Sequence, residues 1–530
     1  MNKQTVAQTS DLKPGTMLAV TAGDTPLLLS QVGDTVYATG AKCTHNGANL
    51  AKGVLCDRRV VCPWHNASFD VTTGDQICPP GLDSLPSYAV NIEGNDIIVQ
   101  LPDEPQPSRT RPMARHNSDG DGRTFVILGA GAAGTNAAEA LRVLGFEGRL
   151  IMITAEDELP YDRTMLSKQY LSGDASAEAL PLRSPEFYQA HDIDVKVGSR
   201  VTEVLAQEKQ LTFDDGATLA YDALLLATGG KAKLPPLDGV ELDGVYKLHN
   251  QQQAEAITKA AKDAKRAVVA GASFIGMETA ASLTQQGIAV TVISPGEVPF
   301  ETLLGPEVGR LFQRVHEANG VTFELGTKLA QVKGTGHVES VVAENGLSFP
   351  AELVVMGIGV QPATDYIQQL ELDSEDKSVP VDEYLNAGYS LYAAGDIATF
   401  PDWRTGENVR IEHWQLAAQQ GRVAARNMLG QKTPFRGVPF FWTGQFDLKL
   451  RYVGHASDWD EVITEGNLED IDNPEFLAFY RQGDRILAVA GINRDAEIAA
   501  ISELMRLDQM PGPDAVRSKV DWLAELALVK

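Results

Sequence analysis

The N-terminal part of the chain alternates apolar and polar positions with a period of two, which predicts strands rather than helices. PLLLSQVGDTVYAT and YAVNIEGNDIIVQL are the clearest examples, and each holds a Gly-Asp or Gly-Asn-Asp turn in its middle. Such a turn between two alternating segments is typical of a β-hairpin. Residues 1–104 are therefore predicted to form an all-β domain.

The pattern changes twice further along the chain. Residues 105–122 are rich in Pro, Arg, Asp and Gly without periodicity, as expected of a linker. From Arg123 onward, β-branched apolar runs alternate with helical segments, as in TFVILG, AAGTNAAEALRVLG and RLIMIT, and the same order returns over residues 267–294. This pattern predicts two Rossmann-like α/β domains with parallel sheets. From residue 435, hairpin patterns followed by amphipathic helices predict an α+β domain.

Composition limits the possible environments and partners. The chain has 530 residues, of which 43% are hydrophobic and 22% charged, as in soluble proteins of several domains. A formal net charge of −26 at pH 7 would repel phosphate backbones, so nucleic acid is not an expected partner. No apolar stretch is long enough for a membrane helix, and the opening MNKQTVAQTS lacks the apolar core of a signal peptide. We therefore expect a cytoplasmic protein.

The cysteines all lie near the N-terminus, in and just after CTHNGANLAKGVLCDRRVVCPWH. A disulfide scaffold is disfavoured in a large chain from a reducing compartment. Instead, Cys43 with His45 and Cys62 with His65 form two short loops, each offering one thiolate and one imidazole to a metal. These ligand types permit a tetrahedral zinc site, or a cluster in which two thiolates hold one iron and two imidazoles hold the other.

The spacing of these pairs favours the iron–sulfur alternative. Cys-x-His, Cys-x-x-His and CPWH followed by Ser-Phe-Asp resemble the ligand loops of Rieske [2Fe-2S] proteins. Respiratory Rieske proteins add a bridging cysteine to each loop, but Ala48 and Trp64 stand there, so the resemblance implies the unbridged loops of oxygenase-type Rieske ferredoxins. Asn66 replaces the glycine that commonly follows the second histidine. Cys56 and Cys78 are outside this ligand set and are expected to be buried thiols.

A first dinucleotide site is predicted at GAGAAG, which follows a strand and opens a helix. Gly129, Gly131 and Gly134 would let the backbone amides at the helix N-terminus receive a pyrophosphate. Glu156 stands at the end of the next strand, where a carboxylate can accept hydrogen bonds from a ribose.

Three further segments, LPYDRTMLSK, ALLLATGG and LYAAGDIATF, resemble flavin motifs of the glutathione-reductase-like family. The likeness is strongest to oxygenase-type ferredoxin reductases and apoptosis-inducing-factor-like proteins. It implies FAD as the first cofactor, with Arg163 and Lys168 along it and Asp396 holding its ribitol chain. Thr228 and Gly229 belong to the second of these motifs.

The second dinucleotide unit is AGASFIGMETA, where Gly271 and Gly276 flank Ser273 in the place of the usual middle glycine. Its position in the chain resembles the nicotinamide domain of the same family, and GIGVQP, with Gly359, resembles the closing motif of that domain. The following strand ends in SPGE, so that Glu297 supplies an acid and no arginine is at hand for a 2′-phosphate. NADH is therefore expected rather than NADPH.

The remaining functional residues follow from the resemblance. It places Glu278 beside the nicotinamide and near Lys168. It also places Trp414, in IEHWQ, at the exposed side of the flavin, where it either lines a path toward His45 or His65 or simply packs against the flavin ring.

The resemblance covers nearly the whole chain, which looks like an apoptosis-inducing-factor-like protein with an N-terminal Rieske domain. The predicted domains are Rieske 1–104, linker 105–122, FAD 123–240 with 385–434, NAD(H) 241–384 and C-terminal 435–530. Since the flavoprotein part has no cysteine pair, electrons from NADH are expected to pass through FAD to the cluster and on to an external redox protein such as an oxygenase. The alternatives are a redox-sensing signalling protein and an NADH oxidase that reduces oxygen at the flavin. The oligomeric state is left open, and a homo-oligomer is compatible with the sequence.

Overall fold

The N-terminal region forms a six-stranded antiparallel sheet in the computed structural model, which describes residues 2–529. Gly33 and Gly94 take positive φ in the two predicted hairpin turns, so both hairpins are present. The strands, in spatial order, are Asn2–Gln8, Asp96–Leu101, Ser87–Glu93, Thr35–Gly40, Thr25–Val32 and Met17–Ala22.

A smaller antiparallel sheet carries the two Cys–His loops. Its strands are Val54–Cys56, Arg59–Val61, Ser68–Asp70 and Gln76–Cys78. Beyond it, the 105–122 segment lies against the α/β body, where the N–H of Ala114 donates to the Arg142 carbonyl at 2.8 Å and that of Asn117 to the Glu147 carbonyl at 2.8 Å. The chain thus leaves the β domain along a defined path.

The first α/β unit is built on a sheet that is parallel except for its last strand. The apolar runs seen in the sequence are its buried central strands, covered by the helices Ala132–Val143 and Trp414–Met428. In order, the strands are Ile193–Lys196, Arg149–Ile153, Thr124–Leu128, Ala223–Leu226, Leu391–Ala393 and Asn386–Gly388.

A side sheet joins this unit to a later part of the chain. Ile367–Gln368 pairs in parallel with Val201–Leu205, which also pairs with Gln210–Phe213. Ile367 and Val379 lie in one apolar core with the central strands of the first unit. Thr218–Ala220 completes this side sheet. A separate small sheet contains Val379–Pro380, Ala398–Pro401 and Asn408–Val409, and short helical elements are Arg163–Met165, Leu166–Tyr170, Ala177–Ala179 and Pro185–Ala190.

The second α/β unit has a five-stranded parallel sheet. Its strands in order are Val245–Lys247, Leu353–Met356, Arg266–Ala270, Ala289–Ser294 and Thr322–Leu325. Its helices are Gln251–Ala261, Phe274–Gln285 and Glu301–Ala318, and a three-stranded sheet adds Leu329–Thr335, His337–Ala343 and Ser348–Pro350. The antiparallel pair Gly230–Ala232 and Val360–Pro362 connects the two α/β units.

The C-terminal region is a five-stranded antiparallel sheet followed by helices. Its strands in order are Phe440–Gln445, Leu448–Gly454, Arg485–Ile492, Glu475–Gln482 and Glu461–Asn467, and its helices are Asp495–Arg506, Pro513–Arg517 and Trp522–Leu528. Val54 and Val61 of the small N-terminal sheet share its apolar core, so the two ends of the chain pack together. Within residues 2–529, no helix combines the length and apolarity that crossing a membrane requires.

Candidate functional site

The two Cys–His loops have matching backbone geometry. The N–H of Gly47 donates to the Cys43 carbonyl at 2.9 Å, and the N–H of Asn66 donates to the Cys62 carbonyl at 3.2 Å. Gly47 has φ 73° and Asn66 has φ 57°, so asparagine occupies here the left-handed conformation that glycine takes in the first loop. The replacement of glycine at position 66 therefore leaves the loop geometry intact.

These loops bring two thiols and two imidazoles to one place. The Nδ1 atoms of His45 and His65 face each other at 3.0 Å. The buried thiols of Cys43 and Cys62 form a hydrogen bond with each other, and all four cysteines of the chain are unbridged and buried. The donor atoms thus form a sulfur pair and a nitrogen pair.

Burial and mutual contacts shift the pKa of all four groups. The pKa of the Cys43 thiol is raised, because this group is hydrogen-bonded to Cys62 and buried. Burial lowers the pKa of the His45 and His65 imidazoles, so both are neutral near pH 7 and each can offer a ring nitrogen. The hydrogen bond from Cys43 lowers the pKa of Cys62, and the backbone N–H groups of Trp64 and His65 lower it further. A thiolate at Cys62 is therefore favoured, and thiolates are the form that binds iron.

The pairwise arrangement distinguishes between the two metal sites that the sequence permits. A tetrahedral zinc ion would need four ligands around one point, whereas a Rieske cluster takes only two protein ligands on each iron. Cys43, Cys62, His45 and His65 are therefore the residues that would hold a [2Fe-2S] cluster.

A cavity of about 690 Å³ opens at the carboxyl ends of the first parallel sheet, a size that suits a cofactor. A Cβ at Gly129 would lie 2.2 Å from the Ala227 carbonyl oxygen, and one at Gly134 would lie 1.9 Å from the Gly129 oxygen. A Cβ at Gly131 would meet only Arg163 Nε, at 4.0 Å. Two glycines thus permit tight packing, and the third leaves space where a pyrophosphate can approach the helix N-terminus.

The carboxylate of Glu156 lines this cavity and already has partners in the protein. Glu156 accepts a hydrogen bond from the Tyr161 hydroxyl at 2.6 Å and pairs with the Arg163 guanidinium, which also donates to the His249 carbonyl at 2.9 Å. Glu156 and Arg163 are therefore within reach of one another and of the same bound group.

The other predicted flavin residues line the same cavity. Thr228 Oγ1 lies 2.7 Å from the Tyr366 hydroxyl, and Gly229 has φ 62° in the turn after the strand. Burial, together with the negative charge of Glu412, raises the pKa of Asp396 to about 7. A hydroxyl-rich ligand beside Asp396 would supply hydrogen bonds to this buried carboxyl group.

Lys168 and Glu278 form an ion pair at the wall of the cavity, with Nζ 3.1 Å from Oε2. Glu278 is only 4% exposed, and it also accepts hydrogen bonds from Ser167 and from Thr443 Oγ1, the latter at 2.7 Å. Lys168 lies in the irregular helix Leu166–Tyr170, where its φ and ψ of −117° and −109° depart from helical values. The pair joins the two α/β units and the C-terminal sheet.

The second dinucleotide unit lies beside the cavity. Of its predicted residues, Glu278 belongs to the cavity wall, whereas Gly271, Ser273, Gly276, Glu297 and Gly359 do not. A Cβ at Gly271 would lie 2.3 Å from the Gly357 oxygen, and one at Gly276 would lie 2.1 Å from the Gly271 oxygen. Ser273 caps the Phe274–Gln285 helix, as Gly131 does in the first unit. Gly359 has φ 90° with open space around its Cα, and Glu297 is exposed beyond the strand end; these residues would line the nicotinamide cofactor.

Trp414 and Trp442 both line the large cavity, but only one of them reaches the histidines. Trp442 lies 4.5 Å from His65 and 5.8 Å from His45, measured between ring centroids. Trp414 is the first residue of its helix and packs against the core of the first unit. From the sequence we assigned no role in electron transfer to Trp442, which lies in PFFWTGQF at the start of the C-terminal region.

Gln415 was also missed, because its role depends on how the domains pack. Its Nε2 lies 2.9 Å from the Pro79 carbonyl, 3.2 Å from that of Asn66 and 3.3 Å from that of His65. Arg451 Nε likewise donates to the Trp64 carbonyl at 3.3 Å. These contacts hold the second Cys–His loop against the flavin side of the molecule.

Comparison with known proteins matches every part of this architecture. Residues 123–421 match the pyridine nucleotide-disulphide oxidoreductase family, residues 2–89 the Rieske [2Fe-2S] domain, and residues 440–527 the reductase C-terminal domain. Apoptosis-inducing factor 3 of Homo sapiens is 38% identical over 510 residues, which cover 94% of this chain and 83% of that relative.

Ferredoxin reductases match the part of the chain that follows the β domain. Putidaredoxin reductase CamA of Pseudomonas putida is 32% identical over 393 residues, or 73% of this chain and 92% of that protein. The solved covalent putidaredoxin reductase–putidaredoxin complex has 31% identity and a TM-score of 0.71, covering 77% of this chain and 98% of that chain. The predicted fold class and the predicted cofactors, FAD, NADH and a Rieske cluster, are confirmed. The chain belongs to the pyridine nucleotide-disulphide oxidoreductase family, as an apoptosis-inducing-factor-like protein with an N-terminal Rieske [2Fe-2S] domain.

Proposed function

We propose that this protein takes electrons from NADH, passes them within one chain from FAD to its own Rieske cluster, and delivers them singly to an external redox protein. The supporting observation is that Trp442 lines the flavin cavity and also contacts the rings of His45 and His65. One side chain therefore separates the flavin site from the proposed iron ligands.

The bound cofactors would supply the redox chemistry, namely hydride transfer from NADH to FAD and single-electron transfer onward through the cluster. The protein positions them. Gly129, Gly131 and Gly134 form the pyrophosphate cradle, and Asp396 would accept hydrogen bonds from the ribitol chain. Gln415 fixes the cluster-bearing loop on the flavin side, so that the acceptor of the electrons is always near their donor.

The Lys168–Glu278 pair would set the hydride-transfer end of the site. Lys168 holds a positive charge at the cavity wall, and Glu278 fixes its position through contacts from three segments of the chain. The second unit would hold the nicotinamide cofactor through Gly271, Ser273 and Gly276. NADH is preferred over NADPH in this proposal, because the exposed carboxylate of Glu297 would repel a 2′-phosphate.

The external acceptor would be a separate redox protein, for example an oxygenase component. Among the relatives, putidaredoxin reductase is solved in a covalent complex with putidaredoxin, a protein redox partner. Four reduced, buried cysteines suit a reducing compartment, so we place the reaction in the cytoplasm.

Stopped-flow spectroscopy of the purified protein after mixing with NADH tests the proposal. Flavin bleaching should precede reduction of the cluster, and the rate of cluster reduction should not change with protein concentration because donor and acceptor share one chain. A Cys62→Ser variant, which removes one proposed iron ligand, should retain the flavin phase only. A cluster that stays oxidised while the flavin turns over with oxygen would refute the proposal in favour of an NADH oxidase.

A further inference from the structure

A second cavity, of about 440 Å³, lies where four parts of the chain meet, and we call it the arginine cavity. Its walls come from the small N-terminal sheet, the linker, the first α/β unit and the C-terminal region. Six arginines and a single carboxylate, that of Glu503, line it. The arginines are Arg59, Arg111, Arg422, Arg426, Arg436 and Arg506.

Glu503 is already engaged inside the protein. It is 1% exposed and pairs with Arg59 at 3.0 Å and with Arg506 at 2.7 Å. Within residues 2–529, no carboxylate lies within 4.0 Å of the guanidinium groups of the other four arginines. The cavity therefore holds a surplus of positive charge in a chain whose formal net charge is −26.

Asp75 and Glu139, outside the cavity, offset part of this surplus at Arg111 and Arg422, and the remainder is destabilising unless an anion in the cavity balances it. Burial, together with the nearby charges of Arg111 and Arg426, lowers the pKa of Arg422 to about 10. Burial also lowers the pKa of Arg111. Arg422 is fixed in place, because it donates to Gln76 Oε1 at 2.6 Å and to Asn136 Oδ1 at 3.0 Å. Like charges held together in this way are typical of a binding site rather than of a solvated surface.

We propose that the arginine cavity binds a phosphorylated small molecule, whose phosphate oxygens contact Arg111, Arg422 and Arg426. Planar guanidinium groups match phosphate oxygens in pairs, which favours phosphate as the anion. Val143, Leu144 and Phe435 form an apolar wall that can contact the carbon skeleton of the ligand. The volume lies within the roughly 300–1,000 Å³ range of small-molecule sites and is too small for a folded partner.

The ligand would also hold the β domain against the reductase. Arg59 and Gln76 belong to the small N-terminal sheet, Arg111 to the linker, and Arg422 to the Trp414–Met428 helix that also carries Gln415. An anion among them would replace repulsion by charge-assisted hydrogen bonds. Binding should therefore raise the Tm of the protein in proportion to ligand saturation.

Isothermal titration calorimetry of the holoprotein at constant ionic strength tests this inference. Fructose 1,6-bisphosphate serves as the organic phosphate, because it has no adenine and cannot compete for the dinucleotide units. Inorganic pyrophosphate serves as the inorganic source, and citrate as a carboxylate of similar charge. We expect one saturable bisphosphate site per chain and weaker binding of both other anions.

Arg111→Gln and Arg426→Gln should each weaken bisphosphate binding about tenfold, the loss expected for one charge-assisted contact. Arg310→Gln is the matched control, because Arg310 is an exposed helical arginine outside the cavity. Arg436→Gln, at the exposed rim, provides another variant if Arg111→Gln does not fold.

Unchanged affinity in Arg111→Gln and Arg426→Gln, or no binding of any probe, would overturn the site. Equal affinities for pyrophosphate and the bisphosphate would assign the arginine cavity to an inorganic anion and overturn the proposed role of the apolar wall. Equal binding of citrate would overturn phosphate as the ligand class. None of these readouts depends on electron transfer, so the test is independent of the proposed function.

Discussion

The imidazole of His65 packs against the indole of Trp442 with 4.5 Å between ring centroids, while the same indole forms part of the flavin cavity wall. The flavin site and the proposed cluster therefore share one aromatic residue. This contact brings together a ligand loop of the N-terminal β domain and the first strand of the C-terminal sheet. Electron transfer within the chain requires such proximity.

Replacement of Trp442 should slow electron transfer from flavin to cluster without affecting flavin reduction. In Trp442→Ala, the cavity wall and the packing against His65 are both lost, and we expect the cluster-reduction rate to fall by about tenfold, which corresponds to ~1.4 kcal/mol in the barrier. Stopped-flow traces separate the two phases. Trp459→Ala is the control, because Trp459 packs on Tyr480 away from the cavity. Equal rates in the two variants would rule out a role for Trp442.

Loss of one proposed iron ligand should remove the cluster and leave the flavin. We expect Cys62→Ser to contain little iron or acid-labile sulfide while keeping the FAD absorption, because the flavin cavity shares no residue with that ligand. Cys78→Ser is the matched control: Cys78 is buried, accepts a hydrogen bond from Gln419 at 3.1 Å and lines the arginine cavity, and it is not one of the proposed ligands. Iron loss in Cys78→Ser, or its absence in Cys62→Ser, would contradict the ligand assignment.

Removing only the Lys168 charge of the Lys168–Glu278 pair should lower the Tm more than removing both charges. Lys168→Met leaves Glu278, which is 4% exposed, without its cation, and such a buried unpaired charge costs about 3–5 kcal/mol. We therefore expect a clear fall in Tm and in the rate of flavin reduction. The double variant Lys168→Met/Glu278→Gln should recover much of the Tm but not the rate. Recovery of both would show that the pair is purely structural.

Acid should destabilise the protein partly through His316, a fully buried residue that lies 2.9 Å from Gln445 Oε1. Burial lowers the pKa of His316 to about 4, whereas an unfolded histidine titrates near about 6.5. The unfolded state thus binds more protons between these values, and the stability contributed by the neutral imidazole is lost as the pH falls from about 6.5 to about 4.

The variant His316→Leu should accordingly show a smaller fall in Tm over that pH range, and its effect is limited to about 3 kcal/mol. His337→Leu is the control, because His337 is exposed. Thermal melts at several pH values provide the measurement. Parallel Tm profiles for wild type and His316→Leu would refute the assignment.

Local patterns in the sequence were sufficient for the fold class and for the cofactors. Alternating polarity predicted the β domain, and the strand–glycine–helix order predicted both α/β units, because these signals arise from backbone geometry within a few residues. Cys43 and His45 are two residues apart, so their role as metal ligands can be predicted without a structure. Ala48 and Trp64 stand where respiratory Rieske proteins have bridging cysteines, so the resemblance implied unbridged loops.

Only the tertiary structure decided which residues join the domains. Trp442 and Gln415 reach the Cys–His loops from segments hundreds of positions away, and Arg111 of the linker lines the same cavity as Arg422. No periodicity or spacing connects such residues, since their proximity depends on the complementary surfaces of separately folded regions. The sequence by itself therefore determined the cofactors that this protein carries, and the packing of its domains determined the path between them and the arginine cavity beside it.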